Sequence, residues 1–357
     1  TGIGNVPDKI TKNHRKTLGL MRDIAEVKTF GVISNSAETG ITEIARPIGV
    51  IGAVVPSTNP AATPANNIIN ALKCGNAIVL SPSPKGVPAC AALIDFIHAE
   101  FDKLGEDKAL VQIIPGRGSK EKTQRLLEIS DMIVVTGSQN NVKRAYTSGT
   151  PALAVGAGNV SVIVDETADL EAAAQKITAS KTFDNATSCS SENAIVVVDA
   201  IYDAFVADTK FLAVETSGIG PEHPLSGEKL SRIAALYRAA DFEAAVATTS
   251  KILAHQGAGH SVGLHSTDDR RALALGHALP TCRVIVNQAH CFATGGAFNN
   301  GMPFSLSMGC GSWGGNSIDD NLHWKHFMQT TKVIREIPTR EPLVEDIFAG
   351  YWADVGA

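Results

Sequence analysis

The sequence predicts an α/β protein built on parallel sheets, and three observations predict it. Apolar runs of strand length, "IGVIGAVVP" (48–56), "NAIVLSP" (76–82), "ALVQIIPG" (109–116) and "DMIVVTGS" (131–138), alternate with stretches of helix length. These runs are apolar throughout rather than at every second residue, as strands covered on both faces are. Each of them ends in Pro, Gly or Ser, the turn chemistry that joins a strand to the next helix.

The elements follow in order. Residues 7–27 carry apolar positions at helical spacing with Pro7 near the start, where a helix tolerates proline. Residues 29–60 alternate around Gly and Asn-Ser turns and read as a hairpin feeding the first buried strand. "AATPANNIINALKCG", "GVPACAALIDFIHAEFDKLG" and "SKEKTQRLLEIS" are the helices between the strands. The strand "VSVIVDE" (160–166) and the helix "ADLEAAAQKITASKTF" (168–183) lead into "FDNATSCSSENAIVVVD" (183–199). Later, "HSVGLHS", "VIVNQ" and the glycine-rich "MGCGSWGGNS" (308–317) indicate a second α/β unit closed by a strand at "KVIREIP" (332–338).

Composition narrows the function. The 357 residues suffice for two or three domains; 44% are apolar and 19% charged, as in ordinary globular proteins. A net charge of −5 with scattered basic residues argues against a nucleic-acid partner, and no apolar run approaches the roughly 20 residues of a membrane span. Six widely spaced cysteines without a C-x-x-C pair favour neither a zinc site nor a disulfide framework and point to the cytoplasm.

Three turns carry phosphate-binding chemistry: "SPSPKG" with Ser81, Ser83 and Lys85, "PGRGS" with Gly116 and Gly118, and "TGSQ" with Thr136, Gly137 and Ser138. All three follow strands, and ligands of open α/β sheets bind at the carboxyl ends of strands, where helix N-termini offer free N–H groups. "GRGSKE" lacks the last glycine of the usual dinucleotide fingerprint. Cys189 stands in a polar stretch at a helix–strand turn, where a thiol is exposed and open to activation. Free cysteines elsewhere usually serve as small hydrophobes, and the other five lack this setting. Asn59, just past the first buried strand, carries an amide able to donate to an oxyanion. His323 and His326 are three apart on an expected helix, but without acidic or thiol neighbours they read as surface histidines, and no metal is expected.

The turns and the cysteine occur together, in this order, in the aldehyde dehydrogenase superfamily, and the chain resembles its coenzyme-A-acylating branch. The residues that carry the resemblance are "GVIGAVVPSTNPAATP", "NAIVLSPSPKG", "VTGSQNNVKRAY", "PALAVGAGNVSVIVDETADL", "SKTFDNATSCSSE", "SGEKLSRIAALYRAADFEAAV" and "SLSMGCGSWGGNS", which span nearly the whole chain. The resemblance implies an aldehyde dehydrogenase-like fold: a Rossmann-type cofactor domain (1–27 and 46–157), an α/β catalytic domain (158–324), and a small β oligomerisation element with the C-terminal tail (28–45 and 325–357). It implies Cys189 as the nucleophile and Asn59, with the Cys189 N–H, as the oxyanion hole. Glu228 would meet the nicotinamide ribose and Ser138 the diphosphate. It implies a homodimer or homotetramer.

Three departures refine this. Hydrolytic members carry a water-activating glutamate in E-L-G-G, where this chain has "LAVGAGN" with Ala154 near that slot, so the thioester should wait for coenzyme A. Ser81-Pro82-Ser83-Pro84 stands where many NAD-using relatives have Lys-Pro-x-Glu, so a carboxylate that would repel a 2′-phosphate is absent and Ser83 and Lys85 could receive that phosphate, which favours NADP over NAD. Thr187, Ser188 and His290 offer polar donors to a small anionic tail, making sulfoacetaldehyde the expected substrate and acetaldehyde with NAD the alternative. In addition, several tens of residues found in the family between the cysteine and "LAVETSG" are missing near Phe211–Leu212, which leaves Glu215 in doubt as a site residue. A thiol acyltransferase that uses no nicotinamide, or a non-catalytic scaffold, would also fit the residues read alone.

Overall fold

The computed structural model describes residues 2–116 and 118–356. Helix α1 (Val6–Ile24) opens on Pro7 and is capped by Asn5, whose side chain accepts the Asp8 N–H. Strands β1 (Gly31–Ser36) and β2 (Ile41–Pro47) form the expected antiparallel hairpin, and Gly40, at φ 67°, turns the chain into β2.

The first α/β unit then runs β3 (Val50–Val55), α2 (Ala62–Lys73), β4 (Ala77–Pro82), α3 (Val87–Leu104), β5 (Val111–Ile113), α4 (Lys120–Ile129), β6 (Met132–Thr136), α5 (Gln139–Tyr146) and β7 (Ala152–Val155). Its five strands lie in the order β5-β4-β3-β6-β7, all parallel. The strand order reverses at β3, so a crevice opens at the carboxyl ends of β3 and β6, where doubly wound sheets bind ligands. The apolar strand runs are explained by this sheet: Ile51, Ile78, Ile133 and Val134 are fully buried between the helices.

A second unit follows: β8 (Val160–Val164), α6 (Leu170–Thr182), β9 (Glu192–Val198), α7 (Tyr202–Asp208), β10 (Leu212–Glu215), β11 (Ile233–Ala239), α8 (Phe242–His255), β12 (Val262–His265), α9 (Asp269–Ala278), β13 (Val284–Val286) and α10 (His290–Ala293). Its six strands are parallel in the order β10-β11-β9-β8-β12-β13, with every residue of β8 and β9 buried. Apolar cores cover both faces, one around Tyr237, Ile252 and Leu264, the other around Ile177, Phe205 and Leu236.

β14 (Met328–Ile334) returns to pair with β2, completing a three-stranded antiparallel sheet, and α11 (Val344–Val355) ends the chain. The final strand begins earlier than its sequence suggests. "NLHWKHF" forms a 3-10 turn rather than a helix. His323 is buried and bonds Asp320 at 3.1 Å, so the reading of a surface histidine without an acidic neighbour is corrected. No described helix is long and apolar enough to cross a membrane.

Candidate active site

One cavity of about 1190 Å³ lies where the two units meet, walled by α1, by the ends of β3, β4 and β6, and by residues 188–191. All three phosphate-binding turns reach it, through Ser81 and Ser83, through Gly118, and through Thr136, Gly137 and Ser138. Gly116 and Lys85 do not line it. Lys85 is exposed outside the wall, whereas Lys120, at the start of α4, lines it. Arg117, in the same turn as Gly116, is outside the described residues.

Several polar atoms at this end stand ready for a ligand. The Ser83 hydroxyl is buried without a protein partner. Ser138 precedes α5 without spending its hydroxyl on the cap, which leaves a free helix N-terminus for an anion. Ser81 and Thr136 are already engaged, with Thr123 at 2.9 Å and Ser307 at 2.5 Å. An orphaned hydroxyl, an open helix start and the cation Lys120 fit a dinucleotide that carries phosphate.

Cys189 owes its position to a strained turn. Asp184, Asn185 and Ala186 hold φ of 52°, 55° and 57°, a left-handed run that non-glycine residues rarely adopt. Asp184 anchors the run: its Oδ2 accepts from Lys9 at 2.6 Å and Lys12 at 2.5 Å, and its N–H donates to Asp8 Oδ2 at 2.7 Å. Asn185 is held by Arg232. The turn delivers Cys189 half-buried to the cavity wall, just before β9.

Burial pushes the Cys189 thiol up to about 12, and the Glu228 carboxylate adds to this, while the Lys12 ammonium pulls the other way. Glu228 lines the same cavity and is itself raised to about 7 by burial, against the Gly158 N–H that donates to its Oε1 at 3.1 Å. Gly158 has no room for a side chain: a Cβ there would lie 2.2 Å from the Cys189 carbonyl oxygen and 3.0 Å from His260 Cδ2.

Asn59 also lines the cavity, and its Oδ1 accepts from Lys12 Nζ at 3.1 Å. Lysine only donates, so this contact fixes the amide oxygen toward Lys12 and leaves the NH2 group for other partners. Ser188 is on the wall, sharing a 2.8 Å contact with Ser190.

Two expected substrate donors are not on the wall. Thr187 is buried, its hydroxyl donating to the Asp184 carbonyl at 2.8 Å. His290 is buried behind the wall, its Nε2 paired with Ser261 at 2.8 Å. The Thr187 hydroxyl and His290 Nε2 are thus taken by protein partners, and neither residue lines the cavity.

Sequence reasoning misses three cations of α1, Lys12, Arg15 and Lys16, which all line the cavity. Their i, i+3, i+4 spacing is the one available signal, and an exposed helix face gives the same pattern. It also misses His260, which is buried beside Gly158 with its Nε2 unpartnered and its Nδ1 on Ser261 at 2.7 Å.

Comparison with known proteins decides the family. The model of the aldehyde dehydrogenase family matches residues 8–223. Over 100% of this chain and 83% of its own length, sulfoacetaldehyde dehydrogenase (acylating) of Cupriavidus necator is 52% identical. The chain belongs to the aldehyde dehydrogenase family, in its acylating branch. Its fold is that of an acetylating aldehyde dehydrogenase from Geobacillus thermoglucosidasius (TM-score 0.91, 32% identity, 95% of this chain and 87% of that one). A propionaldehyde dehydrogenase from Rhodopseudomonas palustris, solved with propionyl-CoA, is similar at a TM-score of 0.82 and 25% identity, over 94% of this chain and 82% of that one. The C. necator alignment runs over 408 positions and this chain has 357 residues, so at least 51 positions of the relative have no counterpart here.

The enzyme is thus an NAD(P)-dependent acylating aldehyde dehydrogenase that works through a thioester and coenzyme A. Among the described lining residues, Glu228 is the one carboxylate. Ala154, fully buried in β7, is off the wall; Gly156 and Ala157 are on it.

Proposed function

We propose that this enzyme oxidises sulfoacetaldehyde to sulfoacetyl-CoA, with NADP as hydride acceptor and Cys189 as nucleophile. The charge of the cavity wall carries the reading: Lys12, Arg15, Lys16, Lys120, Arg144 and Lys176 line it against Glu228 alone among the described residues. These cations form two groups. Lys120 and Arg144 belong to helices α4 and α5 of the first unit, and Lys12, Arg15, Lys16 and Lys176 come from α1 and α6. Arg15 stacks over Phe298, its guanidinium carbon 5.4 Å from the ring centre. Lys16 donates to the Gly295 and Gly296 carbonyls at 2.6 and 2.8 Å. A sulfonate would find paired donors here, while a neutral aldehyde would leave them unused.

In the reaction, the Cys189 thiol gives up its proton to water, the sulfur adds to the aldehyde carbon and the oxygen becomes an oxyanion met by the Asn59 NH2 group. When bound, the nicotinamide takes the hydride lost from that carbon. Cys189 is left holding the acyl group as a thioester, and the thiolate of coenzyme A displaces it. Where hydrolytic members carry their water-activating glutamate this chain has Ala154, fully buried and off the wall, so no carboxylate stands in that slot and the thioester persists for the thiol. Ser83 and Lys120 would take the 2′-phosphate and Ser138 the diphosphate, which favours NADP. The same wall suits the phosphates of coenzyme A.

The β1-β2-β14 sheet exposes Val32, Val333 and Ile334, and α11 exposes Ile347, Phe348 and Tyr351, which supports a homodimer or homotetramer. Six free cysteines suit a reducing cytoplasm.

The test is an aldehyde panel with coenzyme A under each nicotinamide cofactor. Sulfoacetaldehyde should exceed acetaldehyde in kcat/KM by about 100-fold, and Arg15→Ala should erase most of that advantage while sparing acetaldehyde, as loss of a charged contact does. Equal use of the two aldehydes would sink the substrate assignment, and thiol exchange without nicotinamide reduction would favour an acyltransferase.

A further inference from the structure

Two ammonium groups converge on one buried carboxylate oxygen. Lys9 and Lys12, three apart on α1, both donate to Asp184 Oδ2, at 2.6 and 2.5 Å. One lysine would neutralise Asp184. The second adds like-charge repulsion: the Lys12 ammonium is one of the groups that hold Lys9 below its ordinary pKa, after burial itself. Lys12 also costs desolvation, being 9% exposed. An ion pair already supplied by Lys9 does not explain its presence.

The further contacts of the two lysines differ. Lys9 turns its remaining donors to the Thr58 carbonyl and stays off the cavity wall. Lys12 reaches Asn59 Oδ1 at 3.1 Å, lies 5.6 Å from the Phe183 ring centre and lines the cavity. The Asn59 backbone is already fixed, its carbonyl accepting the Thr63 N–H at 3.2 Å at the start of α2. What remains free at Asn59 is which end of the amide faces the reacting carbon. Oxygen and NH2 have nearly the same shape, so packing alone discriminates poorly between them. A positive donor beside one end discriminates strongly: a flipped amide would set NH2 against ammonium and turn its oxygen toward the oxyanion.

We propose that Lys12 is a positioning residue whose ammonium locks the Asn59 amide with its NH2 group toward the oxyanion, Asp184 serving to hold that ammonium in place. The proposal rests on the reading of Asn59 as an oxyanion donor. It divides the work of the two lysines: Lys9 secures the strained turn before Cys189, and Lys12 sets the direction of a hydrogen bond.

A double-mutant cycle tests it. Removing an oxyanion donor costs about 10²–10³ in kcat, so Asn59→Ala should fall in that range. Lys12→Met should lower kcat by about 10- to 100-fold, never more than Asn59→Ala, with KM for coenzyme A and cofactor unchanged. In the Asn59→Ala background, Lys12→Met should add less than about threefold, because the amide it orients is gone. Lys9→Met, which disturbs the same carboxylate, should cost at least about tenfold less in kcat than Lys12→Met. Should Lys12→Met fail to fold, Lys12→Leu, which also removes the donor to Asn59, takes its place in the same cycle. Wild-type kcat in the lysine variant, or an equal loss in both backgrounds, overturns the proposal. A silent Asn59→Ala would instead overturn the oxyanion assignment beneath it.

Discussion

Gly158 donates its backbone N–H to Glu228 Oε1 at 3.1 Å while its α-carbon lies against the Cys189 carbonyl. One residue without a side chain thus couples the carboxylate to the segment that carries the nucleophile.

Gly158→Ala should therefore damage both. Its methyl would sit 2.2 Å from the Cys189 carbonyl oxygen, a backbone atom that cannot swing aside. We expect about 1–3 kcal/mol of destabilisation, the usual cost of overpacking, and turnover slowed by about 100-fold or more as Cys189 moves. Thermal melting and steady-state kinetics measure the two effects, and turnover at the wild-type rate would contradict the coupling.

Glu228 should make the free enzyme less stable as pH rises. Its folded pKa of about 7 lies above the ordinary 4.5, so the folded state favours the proton. That stabilising contribution is complete below pH 4.5 and is lost as pH rises through 7. Glu228→Gln lacks the titration. Its melting temperature relative to wild type should increase between about pH 5 and pH 8, and a difference that does not change with pH would refute the assignment.

Cys189 should alkylate slowly at neutral pH without ligands. With its thiol near 12, the rate of inactivation by iodoacetamide should rise about tenfold per pH unit from about 7 to 10 without a plateau. A plateau by about pH 8 would mean the thiol is already ionised in the free enzyme. Cys189→Ala should abolish aldehyde-dependent reduction of either nicotinamide.

Without coenzyme A, the enzyme should give a burst of reduced cofactor close to one per site and then turn over at least about 100-fold more slowly. This follows from the absence of a carboxylate at Ala154, the slot where hydrolytic members carry their water-activating glutamate. Rapid-mixing absorbance with and without the thiol measures it; undiminished steady turnover to free acid would show that water is activated after all.

The alternation of strands and helices was legible because each buried strand imposes an unbroken apolar run, and Cys189 was legible because its hydroxyl neighbours mark a turn. Lys12 was not. Its partners Asn59 and Asp184 are 47 and 172 residues away along the chain, and no local pattern encodes such a meeting. The placement of Thr187 and His290 off the cavity wall was illegible for the opposite reason. A polar side chain near a nucleophile looks the same in sequence whether it faces substrate or satisfies a buried neighbour, the Asp184 carbonyl and Ser261 here.

The concentration of cations around the cavity also acts before anything is bound. Of the six basic side chains on the wall, Lys12 is paired with Asp184 and burial lowers Lys16 to about 7, which leaves Arg15, Lys120, Arg144 and Lys176 to make a local positive well in a chain of net charge −5. Its field draws anions in and orients them from about 10 Å away at ordinary salt. Capture of charged aldehyde, nucleotide and thiol ester should therefore slow as ionic strength rises, while a neutral aldehyde diffuses in at an unaltered rate. On the proposed substrate, selection would then begin in the solvent, ahead of any contact.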